Sequence, residues 1–132
     1  MDIFEAAGRE IERADPEHFT GPATLVRFLG VLGAPPVNGY LVRFEPGART
    51  DWHSHTGPQL LLVTEGLCRV QKLGEPPRDV AAGGIVAIQP DEIHWHGATP
   101  DSPAAHLALN LDATTLWLEK VSDAEYGGSS QD

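Results

Sequence analysis

Two pairs of histidines in this sequence have a spacing that could bring their rings together in one site. His53 and His55 are two positions apart, and so are His94 and His96. Side chains two positions apart in a strand point to the same face, so each pair is expected to face a common interior point. Gln59 follows His55 by four positions and begins an apolar run. Imidazoles and an amide that converge in this way would make a metal site with positions open for other ligands.

The elements that carry these residues are predicted to be short strands joined by turns. The 132 residues include 14 Gly and 11 Pro but only 9 Lys and Arg, a composition that favours an all-β fold. We predict a turn at Glu65-Gly66 and strands over residues 23–32, 40–44, 52–55, 59–64, 67–73, 85–89, 93–96, 105–111 and 116–121. Short strands at such regular spacing indicate a closed barrel or a jelly roll.

The length of the chain indicates a single domain. We divide it into an N-terminal extension at residues 1–18, a barrel at residues 19–126 and a flexible tail at residues 127–132. Ser122 and Glu125 have the spacing of a capping box, which predicts one short helical turn just before the tail.

The bulk composition argues against several classes of partner. The formal net charge of −10 repels nucleic acids and anionic lipids, so neither is expected to bind. The first ten residues have no signal-peptide pattern, and no apolar run approaches the length of a membrane span. Cys68 is the sole cysteine and cannot form an intramolecular disulfide. We therefore expect a soluble, cytoplasmic protein.

The spacing of the first histidine pair resembles the first sequence motif of the cupin superfamily. Gly47 is followed after five residues by His53-x-His55, after three more by Gln59, and after six more by Gly66. Cupins usually have Glu where this chain has Gln59. The resemblance implies a cupin-type jelly-roll β-barrel, a double-stranded β-helix, formed by a single domain.

The second histidine pair lies in a stretch that resembles the second cupin motif. Gly84 is followed after five residues by Pro90 and then by His94, with Glu92 in place of the usual turn glycine. The signatures FEPGART, WH-x-H and HWHGA, at residues 44–50, 52–55 and 94–98, are similar to those of a small single-domain subgroup. That subgroup includes the manganese-dependent cupin hydroxynitrile lyases.

This resemblance implies that His53, His55, Gln59 and His94 are the protein ligands of one divalent metal ion. Manganese is the ion favoured by the resemblance, and iron, nickel and zinc are compatible with imidazole ligands. Because imidazole and amide donors are neutral, the ion would keep its full +2 charge and act as a strong Lewis acid. The alternative for Gln59 is a buried amide that is hydrogen-bonded to the barrel wall.

Two further histidines are candidates for proton transfer. His96 shares a strand face with His94, and His106 shares one with Asn110. Because cupins place their site inside the barrel, we expect His106 and Asn110 to face it, with His96 and His106 as general bases or acids. The alternative is that His106 is only hydrogen-bonded in the wall. Leu107, Leu109 and Leu111 take the other strand face and are expected to pack between the sheets.

The substrate pocket is expected to be lined by Tyr40, Val42 and Asn110. Tyr40 and Val42 share one strand face and resemble positions that line the pocket in the lyases. Asp51 is expected at the rim of the site, with a contact to a ligand as the less favoured alternative. His18 is expected to be solvated or to cap a turn.

Three functions remain compatible with the sequence. The first is a hydroxynitrile-lyase-like reaction, or a related non-redox lyase reaction, in which His96 or His106 moves the hydroxyl proton of a small substrate. The second is an oxidative cupin such as a dioxygenase, which requires a redox-active metal. The third is a barrel that binds a small molecule without catalysis. The resemblance also implies a homodimer formed through contacts between β-strands.

Overall fold

The protein folds into an antiparallel β-structure with one short helix, in a computed structural model that describes residues 1–128. The all-β prediction is confirmed, and so is the helical turn with its capping box at Ser122 and Glu125. The elements are β1 (Glu12–Arg13), β2 (Phe19–Thr20), β3 (Ala23–Gly33), β4 (Pro36–Phe44), β5 (Arg49–Thr50), β6 (His53–His55), β7 (Gln59–Lys72), β8 (Arg78–Ala81), β9 (Ile85–Ile88), β10 (His94–Ala98), β11 (Ala104–Leu111), β12 (Thr115–Trp117) and α1 (Asp123–Tyr126).

The strands form a curled sheet whose two halves share β7. Along the main path the order is β1-β3-β4-β11-β7-β10-β5-β2. The first half of β7 pairs with β11 and β9, and its second half pairs with β10 and β8. β6 joins the structure by pairing with β10 and β12. The two halves curl around one interior, which is the jelly-roll arrangement expected from the sequence.

The predicted turn at Glu65-Gly66 is wrong. β7 continues through these residues as one strand of 14 residues, and a register shift in its pairing with β11 marks a bulge there. Gly66 has a positive φ of 68°, and a side chain at this position would collide with the carbonyl oxygen of Pro103. Glycine therefore bends the strand from one half of the sheet into the other, where the sequence pattern suggested a reversal.

The inward face of β11 carries the polar side chains. His106 lies opposite Val42 on β4 and Val63 on β7, and Asn110 lies opposite Gln59 on β7. The prediction that the leucines of β11 pack between the sheets is wrong, because Leu107, Leu109 and Leu111 lie on the outer face and are half-buried. The inward positions of β11 are taken instead by alanine, histidine and asparagine side chains, which are all buried.

The hydrophobic core surrounds the polar interior in three clusters. The largest includes Phe44, Val63 and Cys68 and packs beside the inward face of β11. A second cluster joins Trp52 and Trp95 to the C-terminal helix. The third cluster consists of Leu61, Ile88 and Ala108. The other buried members of the first two clusters are Ala23, Leu25, Val42, Ala48, Ala98, Ala104, Val121 and Tyr126.

The ends of the chain extend the barrel. The predicted N-terminal extension, residues 1–18, contributes β1, which pairs with β3. Of the predicted tail at residues 127–132, the last four residues lie outside the described residues. In residues 1–128, no helix has the length and apolar character needed to cross a lipid bilayer. The division of the chain into extension, barrel and tail stays a prediction.

Gly97 offers a test of how tightly the strand that carries His94 and His96 is held. An added Cβ at this position would collide with the carbonyl oxygen of Ala48 and lie 2.7 Å from the Cα of Arg49. We expect Gly97→Ala to lower the free energy of unfolding by about 1–3 kcal/mol, because the neighbouring backbone must move. Urea unfolding measures the change. Gly33→Ala is the matched control, since nothing lies within 4 Å of its added Cβ, and an equal loss in both variants would contradict the explanation.

Candidate metal centre

Three buried histidines form a compact cluster inside the barrel. His53 on β6 lies directly opposite His94 on β10 in the register of these two strands. His96 lies two residues farther along β10. Each of the three rings has a nitrogen within 4.8 Å of the corresponding nitrogens of the other two. The strand pairing therefore brings together residues that are about forty positions apart in the sequence.

Backbone carbonyl groups fix the orientation of two of these rings. The Nδ1 atom of His53 lies 2.8 Å from the carbonyl oxygen of Asp51, and the Nδ1 atom of His94 lies 2.8 Å from that of Glu92. A carbonyl oxygen can only accept a hydrogen bond, so each Nδ1 must carry the proton. The Nε2 atom of each neutral ring then carries the free lone pair that a metal ion requires.

His55 is oriented in the same way by a hydroxyl group. Its Nδ1 atom lies 2.9 Å from Oγ1 of Thr115 on β12. Its Nε2 atom is buried and has no hydrogen-bond partner among the described residues. The ring centroid lies 5.0 Å from that of His53 and 5.5 Å from that of His94. His55 is thus outside the 4.8 Å cluster but borders it, with an unpartnered ring nitrogen.

Gln59 reaches the cluster from the neighbouring strand β7. Its Oε1 atom lies 3.2 Å from Nε2 of His94. Its Nε2 atom donates a hydrogen bond of 2.7 Å to Oδ1 of Asn110. Both ends of the amide are therefore engaged: one end faces the histidine cluster and the other faces β11.

His96 and His106 form a hydrogen-bonded pair. Nε2 of His106 lies 2.9 Å from Nδ1 of His96, so one ring donates to the other. Nε2 of His96 and Nδ1 of His106 are buried and have no partner in residues 1–128. Phe44 packs edge-on against both rings and shields the pair from water. His96 therefore belongs to the metal-type cluster through one nitrogen and to this pair through the other.

Burial keeps these imidazoles neutral. It lowers the pKa of His55 and of His106 to about 4 in each case, and the proximity of His94 adds to the effect at His55. Burial also lowers the pKa of His53 and of His96 well below the ordinary value, and neighbouring histidines lower both further. Neutral rings present lone pairs instead of positive charge. Unpartnered lone pairs that converge in a buried space fit a bound divalent cation.

The cluster opens into a cavity of about 470 Å³. The predicted pocket residues Tyr40, Val42 and Asn110 all line it, as do His96 and His106. The other lining residues are Glu12, Arg13, Asp15, His18, Phe19, Leu25, Arg27, Thr50, His53, His55, Gln59, Ala108, Thr115 and Trp117. The deep end is formed by neutral polar groups, and the mouth is formed by charged residues of the N-terminal segment.

The sequence analysis missed Trp117, whose ring stacks on that of His18. The centroids of these two rings are 4.3 Å apart and their planes 10° apart, and Trp117 also lies 4.8 Å from the ring of His53. His18 is half-buried at the mouth, and its backbone N–H group donates to the carbonyl oxygen of Asp15 across a turn. The two-residue spacing of Thr115 and Trp117 on one strand was the signal that could have placed Trp117 in the site.

Asp51 is not at the rim, as the sequence suggested, but buried behind His53. Only 2% of its surface is exposed. Its carboxylate accepts a hydrogen bond of 3.0 Å from Nζ of Lys120, and its carbonyl group orients His53. The structure therefore shows the less favoured alternative, a contact between Asp51 and one of the predicted ligand residues, His53.

Comparisons with known proteins agree with this architecture. A curled antiparallel barrel with three histidines that could hold a metal ion is a small jelly roll with a candidate metal site. The Cupin domain profile matches residues 40–110, and the chain belongs to the cupin family. It is 35% identical over 129 residues to the (R)-mandelonitrile lyase of Granulicella tundricola, covering 96% of this chain and 98% of that protein.

Solved structures show the same fold. A cupin-like protein from Thermotoga maritima superposes with a TM-score of 0.83 at 35% identity, and the match covers all of both chains. A cupin-2 domain protein from Rhodospirillum rubrum superposes with a TM-score of 0.71 over 96% of this chain and 84% of its own. Its identity is only 14%, so that likeness speaks for the fold alone.

Thr115 and Thr114 offer a matched test of the orientation of His55. Thr115→Val removes the hydroxyl group that holds Nδ1 of His55, so we expect the affinity for a divalent metal to fall by about 10- to 100-fold. Thr114→Val removes a neighbouring exposed hydroxyl group whose side-chain contact is with Thr56, and it should leave the affinity unchanged. Competition with a chromophoric chelator measures both dissociation constants. Equal affinities in the two variants would show that His55 does not hold the metal.

Proposed function

We propose that this protein is a metal-dependent lyase that cleaves a cyanohydrin to an aldehyde and hydrogen cyanide. One observation carries the choice of reaction, namely the 35% identity to an (R)-mandelonitrile lyase over nearly the full length of both chains. The geometry of the site supports this choice, because its neutral donor set and its buried histidine pair suit a reaction that moves one proton without oxidation. A cytoplasmic location remains a prediction from the sequence.

In this proposal His53, His55, His94 and Gln59 would hold one divalent ion, with manganese favoured. Three of these residues are histidines whose Nδ1 is held from outside by an oxygen atom, which leaves Nε2 for the metal. His96 differs, because its Nδ1 is bonded to His106. When bound, the ion would supply a Lewis acid that stabilises negative charge on the substrate oxygen as the bond to the nitrile carbon breaks.

The histidine pair would carry the proton. Cleavage requires that the substrate hydroxyl group lose its proton and that cyanide leave as hydrogen cyanide, so one proton is taken up and returned. Nε2 of His96 and Nδ1 of His106 are unpartnered, and both residues line the cavity. Either ring can accept the hydroxyl proton, and the 2.9 Å hydrogen bond between the rings lets the other share the positive charge.

The walls of the cavity would bind the organic part of the substrate. Leu25, Val42 and Ala108 supply apolar surface, and the aromatic rings of Phe19 and Tyr40 border the same space. A volume of about 470 Å³ is in the range of small-molecule sites. An aldehyde or cyanohydrin with an aryl or branched alkyl group matches these walls. Tyr40 narrows the pocket from the side of β4.

We also propose that two copies of the chain associate through the outer face of the barrel. Two uninterrupted rows of uncharged residues cross the five strands β3, β4, β11, β7 and β9. In register, they are Val26–Leu41–Leu107–Leu62–Ile85 and Phe28–Gly39–Leu109–Leu60–Ala87. Apolar surface of this extent on a soluble protein marks an interaction site.

The partner that best fits this face is a second copy. Leu60 and Leu62 are each more than a third exposed and Ile85 is 66% exposed, so the rows are accessible on β7 and β9. At the β3 end, Phe28 is buried under the guanidinium group of Arg9. The chain carries a net charge of −10, which makes two copies repel each other over most of their surfaces. An uncharged face is the region where this repulsion is weakest, and the same face on each copy satisfies two-fold symmetry.

Cleavage of mandelonitrile, measured together with metal content, tests the proposed reaction. We expect the wild-type protein loaded with Mn²⁺ to release benzaldehyde and cyanide. His106→Ala should retain the metal and lose about 10²- to 10⁴-fold in rate, because it removes one of the two proton acceptors. His53→Ala should lose the metal. Loss of the metal in His106→Ala would contradict the assignment of His106 as a base and of His53 as a ligand.

Two other outcomes of the same assay would overturn the lyase proposal. Oxygen uptake by the iron-loaded protein without cleavage of any cyanohydrin would point to an oxidative cupin. Full metal occupancy without turnover of cyanohydrins, aldehydes or enediols would point to a binding protein.

Light scattering coupled to size-exclusion chromatography tests the proposed dimer. We expect the mass of a dimer for the wild-type protein and of a monomer for Leu62→Asp, because a carboxylate would be buried at the interface. Leu116→Asp is the control, since Leu116 is 61% exposed on β12, away from the two rows, and should leave the dimer intact. A monomeric wild-type protein, or a Leu62→Asp variant that is still dimeric, would overturn this interface.

A further inference from the structure

Gln59 and Asn110 form a buried amide pair between two strands. They are direct partners in the register of β7 and β11, and less than a tenth of either residue is exposed. Nε2 of Gln59 donates to Oδ1 of Asn110 over 2.7 Å. An amide group has one donor end and one acceptor end, so an acceptor at position 110 determines which end of Gln59 faces β11.

The other end of the Gln59 amide has an electrostatic mismatch. Its Oε1 atom lies 3.2 Å from Nε2 of His94. Because Nδ1 of His94 donates to the carbonyl oxygen of Glu92, the neutral ring has no proton on Nε2. Two lone pairs therefore face each other without a hydrogen between them. A cation that both atoms contact would turn this repulsion into attraction.

Turning the amide of Gln59 over would remove the mismatch and also remove the ligand. Its nitrogen would then donate to Nε2 of His94, and the pair would be satisfied without a metal ion. An amide nitrogen has no lone pair to offer a metal, so Gln59 can act as a ligand only with its oxygen turned inward. The inward orientation depends on an acceptor on the opposite side of the amide, and Oδ1 of Asn110 is that acceptor.

We propose that Asn110 is a positioning residue that keeps the oxygen of Gln59 aimed at the metal. This role rests on the metal site proposed above but not on the lyase reaction. It assigns Asn110 a task beyond lining the substrate pocket. It also explains how a neutral amide can act as the metal ligand at position 59. A carboxylate at this position would need no positioning residue, since both of its oxygens can bind a metal.

The proposal makes positions 59 and 110 interdependent. With glutamine at position 59, loss of the acceptor at position 110 frees the amide to turn its nitrogen toward His94. With Gln59→Glu, either oxygen can coordinate, so the identity of residue 110 should have little effect on metal binding. A purely structural role of Asn110 would instead weaken the site equally in both backgrounds.

A double-mutant cycle with Mn²⁺ as the probe tests this dependence. Asn110→Leu is made in the wild-type protein and in Gln59→Glu, and dissociation constants are measured by chelator competition, with electron paramagnetic resonance of bound Mn²⁺ as a second readout. We expect Asn110→Leu to weaken Mn²⁺ binding by about 10- to 100-fold in the wild-type background and by less than about 3-fold in Gln59→Glu.

Asn110→Asp is the control for a loss of Mn²⁺ affinity that is caused by misfolding. It keeps an acceptor for the Gln59 amide, so it should bind Mn²⁺ at least as tightly as the wild type. Equal losses for Asn110→Leu in both backgrounds, or no loss in either, would overturn the positioning role. Wild-type protein that binds Mn²⁺ but cleaves no cyanohydrin would overturn the lyase proposal and leave this role intact. Wild-type protein that binds no Mn²⁺ would overturn both.

Discussion

The site inside this barrel depends on imidazole rings whose Nδ1 atoms are hydrogen-bonded to oxygen atoms, which fixes the orientation of each ring. For His53 and His94 the acceptor is the carbonyl group two residues earlier in the chain, so the ring is oriented by the segment that leads into its own strand. For His55 the acceptor is Thr115, sixty residues away on β12. Two rings are therefore oriented as soon as β6 and β10 form, whereas the third waits for β12 to pair with β6. Completing the site requires the late segment of the chain.

The neutral state of the buried histidines links the fold to the chemistry of the site. Burial lowers the pKa values of these rings, and the proximity of neighbouring histidines lowers those of His53 and His96 further. Gln59 adds a neutral donor where a glutamate would bring a negative charge. A dication in such a shell keeps its charge available to a substrate oxygen. The same protein environment that disfavours protonated histidines therefore favours a bound metal.

The sequence predicted what depends on spacing along one strand. The two-residue periodicity put His53 with His55, and His94 with His96, on common strand faces, because a side-chain period of two is intrinsic to a strand. The resemblance to cupins, and not the periodicity, implied that His106 and Asn110 face the cavity. The periodicity did not show that the leucines of β11 face outward. That outcome depends on which face the rest of the barrel covers, and the polar groups of the site occupy the interior.

Other features could not be derived from spacing because they arise from pairing between distant segments. The sequence around Gly66 is compatible with a turn that reverses the chain or with a bend within one strand. The close approach of Pro103 to Gly66, which belongs to the bent strand, is not visible in the sequence. Trp117 stacks on His18 and packs at a tilt against His53, since β12 pairs with β6, and no motif marks that pairing. The cupin motifs cover the residues of the candidate metal site, but not those that shape the entrance to the cavity.

Asp51 connects that entrance to the ligands. Its backbone N–H group donates to the carbonyl oxygen of His18, and its own carbonyl group accepts from Nδ1 of His53. Its buried carboxylate pairs with Lys120, whose Nζ also donates to the carbonyl oxygens of Pro16 and Glu17. One residue thus anchors both the segment that forms the mouth and the ring that faces the metal site.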